Sequence, residues 1–341
     1  MTLLLTGCSA KDWERNLRFG WPTGVTKQGE RMRVLWTWSG VAALAVGVLM
    51  WGLIFWCCIR YRKRNDDLPR QTKYNLPLEI AYSIIPFLII AGLFWRTVVV
   101  ENYTDKLTAN PDVVIQVDAF KWNWQFEYHK YKDDAGNEQA ATYPGQTDHA
   151  AADTAKDPNA NVGKRCDEAA GNQSELCEKE GLQAQDANTP LYLSTVGSDS
   201  EIPVLVLPVD QTIRVVEHSE DVIHSFWVPE FLFKRDVIPF GTTSTARDNQ
   251  FEFTATSTGS FVGRCAELCG TYHSQMNFEV RVVDAATFDK YLAALKAIGP
   301  DDAARQSKAL IQAGLKPYAT TTKPFNTSRV QGEAAGQPGG S

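Results

Sequence analysis

The run Cys265-Ala-Glu-Leu-Cys269-Gly-Thr-Tyr-His273-Ser-Gln-Met276 sets two thiols, an imidazole and a thioether within twelve residues. A second imidazole, His224, lies upstream in Ser219-Glu-Asp-Val-Ile-His224-Ser-Phe226. Soft sulfur with imidazole, and no carboxylate among the side-chain donors, is a copper preference.

Short β-branched and aromatic runs flank these segments. Strands are expected at 113–117, 122–128, 203–207, 212–217, 250–254, 260–262 and 277–283. Many short strands with turn signals between them predict a β-sandwich or barrel. In the second run, Trp122, Trp124, Phe126 and Tyr128 fall on one face by the period of two. Such a row is ordinarily core or interface packing. Asp284 is placed to cap a helix over 285–297, with Phe288, Tyr291, Leu292 and Leu295 as its apolar stripe. A second short helix is expected over 301–314, and from Lys316 and Pro317 onward the polar, Gly-rich chain predicts disorder.

Three readings compete with copper shared between two thiolates. Two Cys and two His suit a closed zinc tetrahedron, but that leaves Met276 unused. A Cys265–Cys269 disulfide leaves both imidazoles unexplained. A mononuclear blue-copper site takes two His, one Cys and an axial Met, and leaves one thiol over. Two bridging thiolates holding two metal ions use every group.

N-terminal to the strands the chain changes character. Residues 34–59 run 26 positions without a charge, with Trp36, Trp38 and Trp56 near the ends, and a second apolar span runs from Leu76 to Val100. Both are long enough to cross a bilayer, and Trp favours its interfaces. Pro86 is expected to kink the second span. Between them lies Arg60-Tyr-Arg-Lys-Arg64, followed by Arg70 and Lys73. That basic loop predicts a cytoplasmic turn, with the N-terminus and everything after residue 100 outside. Cys57 and Cys58 beside it read as packing residues in preference to palmitoylation sites. Glu79, the acid of the second span, is either an interfacial carboxylate or a proton-relay group.

The chain's 40 acidic and 34 basic residues give no support for nucleic-acid binding. Leu5-Thr-Gly-Cys8 is similar to a bacterial lipobox, which makes Cys8 a candidate lipidation site, although no basic leader precedes it. Residues 129–190 are polar and read as a long inserted lobe. Cys166 and Cys177 within it are expected to form a disulfide on an oxidising outer face, with a metal site as the alternative.

Together these residues resemble subunit II of the haem–copper cytochrome c oxidases. The resemblance rests on the His224 segment, the Cys265–Met276 motif, the hairpin containing Glu79-Ile-Ala-Tyr-Ser-Ile-Ile-Pro86, and Trp122-Asn-Trp-Gln-Phe-Glu-Tyr128. The Cys8 motif, the insert and the tail are similar to the actinobacterial branch.

The fold implied is a two-helix transmembrane hairpin plus an all-β cupredoxin-like sandwich with an inserted lobe and C-terminal helices. Its divisions would be a lead-in over 1–33, the hairpin over 34–100, the copper domain over 101–284 and a helical and disordered end over 285–341. The resemblance implies that His224, Cys265, Cys269, His273 and Met276 bind the binuclear CuA centre, with the Glu267 carbonyl as a further ligand. It implies that the Glu267 side chain holds a Mg or Mn ion shared with subunit I. Trp122 would receive electrons from cytochrome c, and Glu79 would stand at the mouth of a proton channel in subunit I. The implied partners are subunits I and III, membrane lipids and a cytochrome c, which in the actinobacterial branch is a membrane-bound dihaem cytochrome c of a bc complex. The implied location is the plasma membrane, with two spans. Family members often carry Gly-His-Gln before the aromatic pair, whereas Ala119-Phe-Lys121 stands here, so the docking edge for the donor is expected to differ.

A quinol oxidase subunit II shares the fold but lacks the copper ligands. A membrane-anchored copper delivery protein would share the ligands but would need neither Glu79 nor the aromatic strand. A nitrous-oxide-reductase-like domain would come with a propeller, and no repeat appears in this sequence.

Overall fold

The computed structural model describes residues 21–64, 66, 68, 71–147, 190–198, 200–239 and 249–324. The chain forms two compact units, one holding Gln28–Asp105 and the other Val25–Lys27 with everything from Lys106 onward.

The first unit carries helices α1 (Lys27–Arg60) and α2 (Leu76–Thr104). Both are long and apolar enough to cross a membrane, and almost none of their surface is covered within the chain. Apolar helices this bare need lipid or a partner around them. α1 begins about two turns earlier than its charge-free stretch, and there Arg33 pairs with Glu30 at 2.5 Å one turn away. α2 is capped by Asn75, whose Oδ1 accepts the N–H of Leu78 at 3.4 Å, while Glu79 Oε1 accepts the N–H of Asn75 at 2.9 Å. These bonds satisfy donors left over at the helix start. The helix continues through Pro86.

The second unit is a sandwich of two sheets. One contains β1 (Val113–Phe120), β2 (Asn123–Lys132), β3 (Glu138–Ala140), β4 (Thr142–Thr147), β5 (Pro190–Val196), β7 (Thr212–Ser219) and β10 (Gln250–Thr254). Its order is β10-β7-β1-β2-β5-β4, with β3 paired to β2. The other has the order β6-β12-β11-β8-β9, from β6 (Val204–Pro208), β8 (His224–Val228), β9 (Phe233–Val237), β11 (Gly259–Cys265) and β12 (Asn277–Val283). Each sheet mixes parallel and antiparallel neighbours: β1 runs parallel to β7, and β6 to β12. This is the cupredoxin-like sandwich expected from the sequence.

Alternation builds the core. Trp124, Phe126 and Tyr128 of β2 are fully buried between the sheets and meet Phe226, Phe278 and Phe288. The Tyr128 hydroxyl accepts the N–H of Val206 and donates to its carbonyl, both at 3.0 Å, which ties the two sheets together. Trp122 stands just before the strand and is only partly buried.

Helix α3 (Ala285–Ile298) is capped by Asp284, which accepts the N–H of Thr287 at 2.8 Å. Its stripe of Phe288, Tyr291, Leu292 and Leu295 is fully buried. Helix α4 (Arg305–Gln312) brings Gln306 to the edge of β6, where its amide accepts from Val204 N and donates to Ile202 O.

Two expectations need correction. The strand pattern does not break at residue 129: β2 runs to Lys132, and β3 and β4 carry it to Thr147. Tyr128 and Tyr131 contact α3 through Phe288, so packing continues where composition alone suggested loop. The chain also stays folded past Lys316. Arg281 donates to the carbonyls of Lys316 and Tyr318, and Glu279 accepts the N–H groups of Thr320 and Thr321 at 2.6 and 2.8 Å. A buried ion pair on β12 holds this polar segment, a contact that composition does not reveal. Cys8, Cys166 and Cys177 lie outside the described residues.

Candidate metal centre

β11 and β12 form a hairpin whose loop is the Cys265–Met276 segment. The loop is closed at its base by a hydrogen bond from Cys265 N to Met276 O at 3.0 Å. Cys265 ends β11, Met276 directly precedes β12, and His224 begins β8, the strand paired to β11 at Cys265↔Phe226. Within the loop, a 3-10 turn over His273–Gln275 aims His273 back at Cys269. Sheet pairing therefore fixes both ends of the motif, and the turn fixes its middle.

The two Sγ atoms lie 3.8 Å apart. A disulfide requires about 2.05 Å, so these are two separate thiols. Metal–sulfur bonds of about 2.3 Å place two sulfurs of one tetrahedral centre about 3.8 Å apart, which is the separation seen. Each thiol has an imidazole and a weak donor near it. His224 Nδ1 is 3.9 Å and the Glu267 carbonyl oxygen 3.2 Å from Cys265 Sγ. His273 Nδ1 is 3.5 Å and Met276 Sδ 3.8 Å from Cys269 Sγ. The zinc alternative has no use for Met276, which is buried against the sulfurs. The donor set fits copper.

Hydrogen bonding from Cys269 outweighs burial and, with bonds from His224 and backbone N–H groups, holds the Cys265 thiol at about 4. Bonding to Cys265, with burial and the charge placed there, pushes Cys269 up. The pocket readily holds one thiolate, the form that binds metal.

Trp122 touches the loop directly. Its indole N–H donates to the Cys269 carbonyl at 3.2 Å, and its ring packs edge-on against Tyr272 with centroids 4.9 Å apart. Gly270 sits at φ +119°, where a Cβ would come within 3.2 Å of that ring. Trp124 donates to the Met276 carbonyl at 3.3 Å. Trp122 and Trp124 thus brace the loop at Cys269 and at its Met276 end.

A family model for the periplasmic domain of cytochrome C oxidase subunit II matches residues 185–283. The probable cytochrome c oxidase subunit 2 of Nocardia farcinica (strain IFM 10152) is 47% identical over 340 residues, covering 98% of this chain and 87% of that protein. This chain belongs to the cytochrome c oxidase subunit II family. It is therefore a subunit of a terminal oxidase. Cytochrome c oxidase subunit 2 of Mycobacterium tuberculosis (strain ATCC 25618 / H37Rv) is 42% identical over 345 residues, covering 100% of this chain and 89% of that protein. Among solved structures, the periplasmic domain of subunit II of cytochrome oxidase of Bradyrhizobium japonicum is 26% identical, covers 56% of this chain and 99% of that one, and has a TM-score of 0.32.

Within this oxidase subunit the structure brings His224, Cys265, Cys269, His273 and Met276 together, with the Glu267 backbone beside them. Glu79 lies in the other unit, at the start of α2. Sequence reasoning missed Asp221. Its Oδ1 is 2.8 Å from His224 Nε2, and its Oδ2 accepts the N–H of Lys121 at 2.9 Å. Burial raises the Asp221 pKa, but the bonds from His224, Val222 N and Lys121 N outweigh it and hold the carboxylate low. A carboxylate behind a ligand imidazole fixes its tautomer and orientation. Its spacing of three residues before His224 was the available signal.

Proposed function

We propose that this chain is the electron-receiving subunit of a cytochrome c oxidase. It would accept electrons from a cytochrome c at a binuclear CuA centre and deliver them to haem in subunit I, where oxygen is reduced to water and protons are pumped. The observation that carries this reading is the pair of thiols 3.8 Å apart, each with its own imidazole and weak donor.

His224, Cys265, Cys269, His273, Met276 and the Glu267 carbonyl would hold the copper, which supplies a one-electron redox centre. The protein's part is to keep those donors still and dry. Cys265, Cys269, Met276 and His224 are buried, and the loop is shut by backbone bonds at both ends. Trp122, bonded to the Cys269 carbonyl and partly exposed, is suited to face the donor. The Glu267 side chain, half-buried between the two cysteines, is the candidate ligand for a Mg or Mn ion shared with subunit I.

The basic loop after α1 supports a cytoplasmic turn in the plasma membrane, with the sandwich outside. Glu79, near that turn, would serve the mouth of a proton channel, beyond its bond to Asn75. Partners under this reading are subunits I and III, lipid, and a membrane-bound dihaem cytochrome c, with Cys8 as a lipid anchor and a Cys166–Cys177 disulfide in the insert. The test is Cys265→Ser in the assembled oxidase. Loss of the mixed-valence copper spectrum and of cytochrome-driven turnover is expected. A full mixed-valence spectrum in that variant would overturn the assignment.

A further inference from the structure

β1 and β7 run parallel, with Asp118 directly opposite His218. Val117 and Ala119 point into the core, so Asp118 points to the other face of the sheet, away from the copper-bearing sheet. His218 and Glu220, two residues apart, emerge beside it. His218 Nδ1 lies 3.4 Å from Asp118 Oδ1 and 3.1 Å from Glu220 Oε1, and the three side chains are 9%, 3% and 18% exposed. We propose that Asp118, His218 and Glu220 form a second metal site in this subunit, for a borderline divalent cation of the zinc class.

Three physical arguments carry the assignment. The first is spacing. Bonds of about 2.0–2.1 Å from a tetrahedral zinc set neighbouring nitrogen and oxygen donors about 3.3 Å apart. The two measured separations bracket that value, and all three donor atoms lie within 4.8 Å of one another. The Gln116 amide donates to Asp118 Oδ1 at 2.8 Å, which fixes the carboxylate's orientation.

The second is charge. A buried and a half-buried carboxylate facing one imidazolium leave an excess negative charge largely screened from water, which is unfavourable. A divalent cation with a neutral imidazole leaves none. The site already favours positive charge: burial lowers the His218 pKa, yet the Asp118 and Glu220 carboxylates raise it by more.

The third is donor type. One nitrogen and two carboxylate oxygens, with no sulfur, suit zinc rather than the soft copper chosen by the Cys265–Cys269 pair. The two centres would load different ions from the same medium.

Position gives the site a role. Asp118 lies near the end of β1, the strand that leads into Lys121 and Trp122, and Glu220 directly precedes Asp221, which bonds Lys121 N and His224. A cation joining Asp118 to His218 and Glu220 staples the two segments that carry the partly exposed Trp122 indole and the His224 imidazole. With three protein ligands it keeps a fourth position for water.

The test uses the purified oxidase containing the full chain, titrated with zinc sulfate alone. Metal content per complex and zinc-edge absorption are compared between wild type, His218→Ala and Glu220→Gln. Wild type is expected to hold one more zinc than either variant, in a shell of nitrogen and oxygen at about 2.0–2.2 Å. Each variant is expected to weaken zinc by roughly ten- to a hundredfold while copper content and its visible spectrum stay unchanged. Zinc content equal in wild type and variants overturns the proposal, as does a sulfur-containing shell for the zinc that differs. If His218→Ala loses copper along with zinc, Glu220→Gln decides, because Glu220 is partly exposed and its neutral replacement keeps the shape.

Discussion

His224 Nε2 meets Asp221 Oδ1 at 2.8 Å, and the other oxygen of the same carboxylate takes the Lys121 N–H at 2.9 Å. One side chain thus connects a ligand imidazole to the backbone beside Trp122. Removing it frees the imidazole to rotate and to change tautomer. Asp221→Ala is expected to weaken copper binding by roughly ten- to a hundredfold. Competition against a copper chelator, read from the visible spectrum, checks this. Unchanged affinity would show that the carboxylate does not hold the ring.

Trp122 offers a cleaner separation of roles. Trp122→Phe keeps an aromatic ring but removes the N–H that donates to the Cys269 carbonyl. One lost hydrogen bond is worth about 1 kcal/mol, too little to empty the site. Copper content should stay full while turnover with a cytochrome c falls by roughly tenfold or more, and turnover with a small artificial donor should fall less. Equal losses with both donors would place the fault at the ligand loop.

Gly263 pairs with Phe278 across the hairpin, and a Cβ there would sit 2.0 Å from the Phe278 ring. That ring also packs on Trp124, Phe126 and Phe226, so it has little room to move. Gly263→Ala is expected to destabilise the sandwich by about 1–3 kcal/mol. Because position 263 is two residues from Cys265, copper retention should fall as well. A thermal melt with and without copper measures both effects.

Glu279 and Arg281 make a buried pair that grips residues 316–321. Burial raises the Glu279 pKa, but bonds from Arg281 and Thr321 lower it by more, so its folded value lies below the ordinary one. Its stabilisation is therefore complete above about pH 4.3 and lost as the pH falls through the depressed folded value. Glu279→Gln should reduce stability at pH 7 by roughly 3–5 kcal/mol, the effect of breaking a buried pair. The gap to wild type should narrow below about pH 4. Denaturant unfolding of the detergent-solubilised chain at both pH values tests the sign. A gap that widens in acid would refute it.

Local pattern made much of this protein legible. The charge-free run from Val34 to Ile59 can only be an apolar helix or a buried one, and length favours a span. The alternation from Trp124 to Tyr128 put three aromatic rings on one face, and all three are core. The candidate ligands Cys265, Cys269, His273 and Met276 fall in one short run, so their chemistry could be read without knowing the hairpin that presents them. His224 was legible from its motif rather than from its distance in sequence.

What the sequence determined alone was therefore periodicity and donor type: two apolar helices, a sandwich of short strands, and a cluster of soft donors in one loop with a further imidazole at His224. Tertiary structure decided which thiol faces which imidazole. It decided that Asp221 stands behind His224, that Trp122 bonds to Cys269, that Glu279 and Arg281 hold the segment after α4, and that Asp118 meets His218 across a parallel strand pair. Each of these joins residues brought together by strand pairing, sheet stacking or a loop turn. A side chain's type is fixed along the chain, but its neighbours across a sheet depend on register, and register is set by the packing of the whole core.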